Sequence, residues 1–108
     1  GNIGPNIAGR VLELVAKRPF DRVMRDRLGK QLGWKRTNFM SDGVYAENPS
    51  AGAKSSADDY MKFLTMLLNN GKVGTVQVLK EASVNEILKK QTGAASIAYA
   101  SPISQGND

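Results

Sequence analysis

Serine and lysine are the side chains left to build a covalent catalyst, because the chain contains no histidine and no cysteine. The missing histidine removes the commonest general base and metal ligand, and excludes Ser-His-Asp chemistry. The missing cysteine excludes disulfides, thiolate nucleophiles and zinc–cysteine clusters. Neither a cofactor nor a metal centre is expected. A serine hydroxyl is a weak nucleophile until a base takes its proton, and a lysine one helical turn away can supply that base. Ser41, Ser50, Ser55, Ser56, Ser83, Ser96, Ser101 and Ser104 all lack a lysine three residues on. Tyr45 falls in a long loop and is read as an aromatic packed on the core, not as a proton-transfer group. Lys90-Gln91-Thr92-Gly93 ends a helical pattern and is read as a helix C-terminus with a glycine stop. Trp34 is read as a core anchor.

The elements that would position such groups are helical. The clearest covers residues 57–69. Ser55-Ser56-Ala57-Asp58-Asp59 offers hydroxyl and carboxylate acceptors to the orphan N–H groups of a helix start. Tyr60, Phe63, Leu64, Leu67 and Leu68 follow at helical spacing, and Asn69-Asn70-Gly71 ends the run. An earlier helix over 4–17 is marked by Pro5 in its first turn and by Ile7, Val11 and Val15, with Ala8, Leu12 and Leu14 widening the stripe. Gly9 inside it costs about 1 kcal/mol relative to alanine, and is read as permitting close approach of a neighbouring element. Pro19 opens a second helix over 19–30, with Phe20, Val23, Met24 and Leu28 as its stripe and Gly33 as a left-handed stop. Val84, Ile87 and Leu88 mark a fourth helix over 81–90. Residues 35–54 read as an irregular loop with turn signals at Asp42-Gly43 and Asn48-Pro49. The alternation of Val76 and Val78 predicts a short strand over 75–79. Residues 93–108 read as an extended tail.

Length, at 108 residues, suits one small domain, and no apolar run is long enough for a membrane span. The net charge of +5 is concentrated: Lys17–Arg36 carries eight cations against Asp21 and Asp26. Without interleaved aromatics for base stacking, that segment reads as a solvated helix face, and no nucleic-acid partner is expected.

The order of these signals resembles the serine β-lactamase-like family, which includes class C β-lactamases, penicillin-binding proteins and related esterases. Asn2-Ile3-Gly4 and the helix ending Leu12-Glu13-Leu14-Val15 are similar to the family's segment after its Tyr-x-Asn motif. Arg18-Pro19-Phe20 resembles the start of its next helix. Leu32-Gly33-Trp34 and Thr37-Asn38-Phe39 resemble its Leu-Gly-Met and Thr-x-Phe. Asn48-Pro49 through Phe63 resembles its Asn-Pro-Ala-Gly-Gly loop and Ser-Ser-x-Asp-Asp helix start. The resemblance covers about 85 of the 108 residues.

The resemblance implies a mainly α chain of about four helices with long loops, a fragment of the α/β serine β-lactamase/transpeptidase-like fold. Residues 1–92 would be the helical region and 93–108 the tail. It implies a parent that acylates its serine with a β-lactam, peptide or ester and belongs to a family often periplasmic or secreted. Of the family's three catalytic motifs, Ser-x-x-Lys is absent. Lys90-Gln91-Thr92-Gly93 departs from Lys-Thr-Gly by an intervening glutamine, and only Asn2 remains of Tyr-x-Asn. Asn2 is thus the candidate substrate-binding residue, and no catalytic residue is assigned. The expected partners are the remainder of the parent enzyme and, through an apolar face left uncovered, a second copy of the chain. The alternative is a self-sufficient helical protein-interaction module.

Overall fold

The computed structural model describes residues 3–40 and 47–96. Helix α1 (Ile3–Ala16) is followed by α2 (Phe20–Met24), a π-helical turn (Arg25–Gly29) and α3 (Lys30–Leu32), which together form one continuous helical run. Helix α4 (Ala57–Leu68), a two-stranded antiparallel hairpin of β1 (Lys72–Val73) and β2 (Val76–Gln77), and α5 (Glu81–Leu88) complete the order. In the hairpin, Lys72 pairs with Gln77 and Val73 with Val76. This is the mainly helical architecture that the periodicity predicts. No helix among the described residues is long and apolar enough to cross a membrane.

The breaks between helices follow from local chemistry. Lys17 adopts a left-handed φ of 54° and turns the chain out of α1. Arg18 then donates its N–H to the Glu13 carbonyl, and the Glu13 carboxylate accepts the Phe20 N–H at 3.1 Å. That carboxylate satisfies an orphan donor at the start of α2 and favours the positive end of its dipole. The second helical run stops at Gly33, whose φ of 71° is the left-handed stop read from the sequence. Helix α4 ends through Asn70 and Gly71, at φ values of 56° and 88°. A side chain on Gly71 would overlap the Leu79 carbonyl, so glycine is required there.

Phe20, Val23, Leu32, Met66 and Val84 form the buried core. The Phe20 and Phe39 rings meet edge to face, 5.1 Å apart. Helix α1 faces this core with Gly9, and with Leu12, Glu13 and Ala16 half-buried. Its apolar stripe looks outward: Ile3, Ile7, Val11, Leu14 and Val15 are each more than half exposed. Five such side chains leave on the order of 300 Å² of apolar surface uncovered, at the size where a surface patch on a soluble monomer begins to need a partner.

Three expectations need correction. The strand expected over 75–79 is confined to Val76–Gln77 and belongs to a hairpin whose first strand carries no alternating pattern. The fourth helix ends at Leu88 because Lys89 is already extended, at ψ 141°. Lys90-Gln91-Thr92-Gly93 is therefore not the helix terminus. Residues 91–94 form a separate turn in which Gly93 is left-handed at φ 57° and Ala95 donates its N–H to the Thr92 carbonyl. The tail expected over 93–108 lies outside the described residues from position 97, and Tyr45 lies outside them as well.

Candidate functional site

Asp59 is the one buried charged side chain among the described residues, at 1% exposure. It sits in the first turn of α4, three residues after Ser56, whose hydroxyl oxygen caps the helix by accepting the Asp59 N–H at 3.2 Å. The Asp59 carboxylate does not fold back on the cap. It reaches across to the segment after Gly33 and accepts the Arg36 N–H at 2.7 Å, the Lys35 N–H at 3.1 Å and the Thr37 hydroxyl at 2.8 Å. Trp34 donates its indole N–H to the Asp59 carbonyl at 3.1 Å. Lys62, one turn further along α4, bonds the Gly33 carbonyl at 3.1 Å and pairs with Asp58 at 3.0 Å. One residue thus joins the start of α4 to the end of the preceding helical run.

Burial pushes the Asp59 carboxyl upward. The Arg36 N–H, the Thr37 hydroxyl and the Lys35 N–H, with the Lys62 charge, outweigh it and hold the group below the usual aspartate range. Glu13 is held low by the Arg10 guanidinium and by the Phe20 N–H. Asp26 is held low mainly by Lys30, against burial, with Arg18 and Arg22 adding to the effect. These carboxylates stay ionised and act as acceptors, so none is tuned to shuttle a proton near neutrality.

A second junction locks the Asn48–Gly52 loop to α1. Pro49 packs directly on Gly9, bearing out the close approach read from the sequence. Asn6 accepts the Ser50 N–H at 3.2 Å, and the Asn48 side-chain oxygen accepts N–H groups from Ser50 and Ala51 and the Ser50 hydroxyl. Gly52 donates to the Asn48 carbonyl at 2.8 Å, and any side chain there would meet the Asn48 and Phe39 carbonyls at 2.7 Å.

The serines near these junctions are committed to structure. Ser50 bonds Asn48, Ser56 caps α4, and Ser55 Oγ lies 2.8 Å from Thr37 Oγ1 and 3.2 Å from the Ser56 carbonyl. No group of metal-binding side chains occurs among the described residues. Asn2, the candidate substrate contact, lies outside the described residues; α1 begins at the next position. Sequence reasoning placed Ser56 and Asp59 at a helix start but missed the reach of Asp59 to residues 35–37. It also missed Asp21, which accepts the Phe39 N–H at 2.8 Å while pairing with Arg25 at 3.1 Å. Both are contacts between distant parts of the chain, with no local signal beyond an acidic residue in a first helical turn.

The architecture is that of a helical piece cut from a larger fold, with polar locks that hold loops in place and no nucleophile–base pair identified at them. A beta-lactamase family model matches residues 1–98. The chain belongs to the beta-lactamase family. It is similar to a "putative beta-lactamase" from Bacteroides dorei DSM 17855, whose crystal structure it matches with a TM-score of 0.78 at 27% sequence identity. The match covers 91% of this chain and 30% of that one, so the chain spans under a third of that relative's length. No curated protein matches the chain.

Proposed function

We propose that this chain is the helical region of a serine β-lactamase-like hydrolase and is catalytically incomplete by itself. The parent would acylate a serine with a β-lactam, peptide or ester and release the acyl group to water or another acceptor. The nucleophile and its lysine would come from a part of the fold that this chain does not contain. The observation that carries this reading is the pairing of a family match over residues 1–98 with the absence of any Ser-x-x-Lys. In this reading the role of the chain is architectural. The Asp59 and Gly9–Pro49 locks fix the loops that frame the helices, and Asn2 would hydrogen-bond the substrate amide. The outward stripe of α1 would be covered by the remainder of the parent, since 30% coverage of a homologous fold leaves most of that fold to pack against this piece.

The test is incubation with a labelled penicillin and a chromogenic cephalosporin. The isolated chain is expected to give neither a covalent adduct nor turnover. A longer reading frame that includes Ser-x-x-Lys is expected to form the adduct on that serine. A stoichiometric acyl adduct on any serine of the isolated chain would sink the proposal.

A further inference from the structure

A cavity of about 410 Å³ opens beside the π-helical turn, next to the segment that Asp59 holds. Its lining includes Asp21, Arg25, Lys30, Trp34, Lys35 and Phe39. We propose that this cavity is a binding site for a small planar aromatic monocarboxylate, with Lys35 receiving the carboxylate and the Trp34 and Phe39 rings receiving the flat apolar body.

The charge balance selects a monoanion. Asp21 pairs with Arg25 at 3.1 Å and also accepts the Phe39 N–H, so each of its oxygens is engaged and its charge is balanced by Arg25. Lys30 is paired with Asp26 at 3.0 Å, and Asp26 takes Arg18 at 2.6 Å. Lys35 alone among the lining cations has no ion-pair partner among the described residues. Its backbone N–H is bound to Asp59, which fixes its position. One uncompensated cation in a concave, partly apolar site favours a ligand with one negative charge.

The rings are held in place. Trp34 donates its indole N–H to Asp59 and its backbone N–H to Gly29, the latter at 2.9 Å. Gly29 closes the π turn, and a side chain there would press on the indole at 3.2 Å. Phe39 is pinned by Phe20 and Asp21. A π turn inserts an extra residue into a helix at a cost in hydrogen-bond geometry, and such turns are frequent at binding sites. Here the turn spans Arg25–Gly29 and so sets two of the lining positions, Arg25 and Gly29. The volume falls in the range of small-molecule sites. This proposal does not depend on the acyl-transfer reading of the parent.

Trp34 is the only tryptophan of the chain and lines this cavity, so tryptophan fluorescence reads a change there. The 108-residue chain would be titrated with benzoate, with benzamide as the neutral isostere, and with inorganic phosphate as an anion lacking a ring. Benzoate is expected to give a saturable change with a Kd on the order of 1 mM. Benzamide binding to the wild type, and benzoate binding to Lys35→Gln, are each expected to be weaker by about threefold or more, the scale of one exposed ion pair. Phosphate is expected not to saturate over the same range. Circular dichroism would confirm that Lys35→Gln keeps its helices. A benzoate response that fails to saturate by about 20 mM overturns the proposal. Equal binding of benzamide, phosphate or the Lys35→Gln chain overturns it too, since each removes a feature on which selectivity rests.

Discussion

Replacing Gly9 by alanine sets two effects of opposite sign against each other. In a helix interior the change is favourable by about 1 kcal/mol, because alanine loses less backbone entropy. At position 9 the new methyl would overlap Pro49 Cγ and lie 2.9 Å from Pro49 Cβ, against the ~3.5–4.0 Å of a relaxed carbon contact. The proline ring cannot swing aside, so the Asn48–Gly52 loop must shift. Overpacking of this kind costs about 1–3 kcal/mol. The shift also strains the Ser50–Asn6 hydrogen bond of 3.2 Å, whose loss adds about 1 kcal/mol. The net expectation is destabilisation by about 1–3 kcal/mol after the helix gain is subtracted. Gly4 is the internal control: it lies in the same helix with nothing within 4 Å of its missing side chain, so Gly4→Ala is expected to be neutral or stabilising by up to about 1 kcal/mol. Urea unfolding followed by far-ultraviolet circular dichroism at low micromolar concentration gives both values. Pro49→Ala in the Gly9→Ala background should recover part of the loss, giving a non-zero coupling between the two sites. Equal stability of the two alanine variants, with no coupling to Pro49, would refute the reasoning.

Asp59 is held below its ordinary value of 3.8, so the stability it contributes is fully present above that pH and is lost as pH falls through the lower folded value. Thermal melts below pH 4 should therefore show a steep drop in Tm for the wild type and a flatter, lower profile for Asp59→Asn; superimposable profiles would remove Asp59 from the account. Gly71→Ala places a side chain against the Leu79 carbonyl at φ 88° and is expected to cost about 2 kcal/mol or more in denaturant unfolding. Met66, 1% exposed, should lose about 2–5 kcal/mol on truncation to alanine, measured in the same way. At tens of micromolar the isolated chain should self-associate through the α1 stripe, and Ile7→Glu with Val15→Lys should return it to monomer; light scattering after size exclusion reads both, and a monomeric wild type would count against an uncovered apolar face.

The helices were legible because each carries its period, and two of them a readable cap or stop. Ser56 caps α4 and Gly33 ends the second helical run where the residue types say they should. The π turn was not legible, since Phe20, Val23, Met24 and Leu28 also fit one unbroken α-helical stripe through the Met24–Leu28 spacing of four. Periodicity reveals that α1 has an apolar stripe but not whether its partner belongs to this chain. Ile7, Val11 and Val15 accordingly look like core positions in the sequence and stand in solvent in the structure. Asp59 was visible as a helix-start acid, whereas its partners at residues 35–37 depend on where a loop of some twenty residues returns, which no local pattern encodes.

Helix α5 is eight residues long and sinks a single side chain, Val84, into the core. A helix of that length is unstable by itself in water, so its turns persist only while Val84 stays seated. Amide protons of α5 should then exchange with solvent through brief local openings. Those around Met66, buried in the last turn of α4, should wait for the whole fold to open. A stability gradient is therefore expected between these elements, with Gly71 and the hairpin at the boundary between a slow-exchanging body and a fast-exchanging α5.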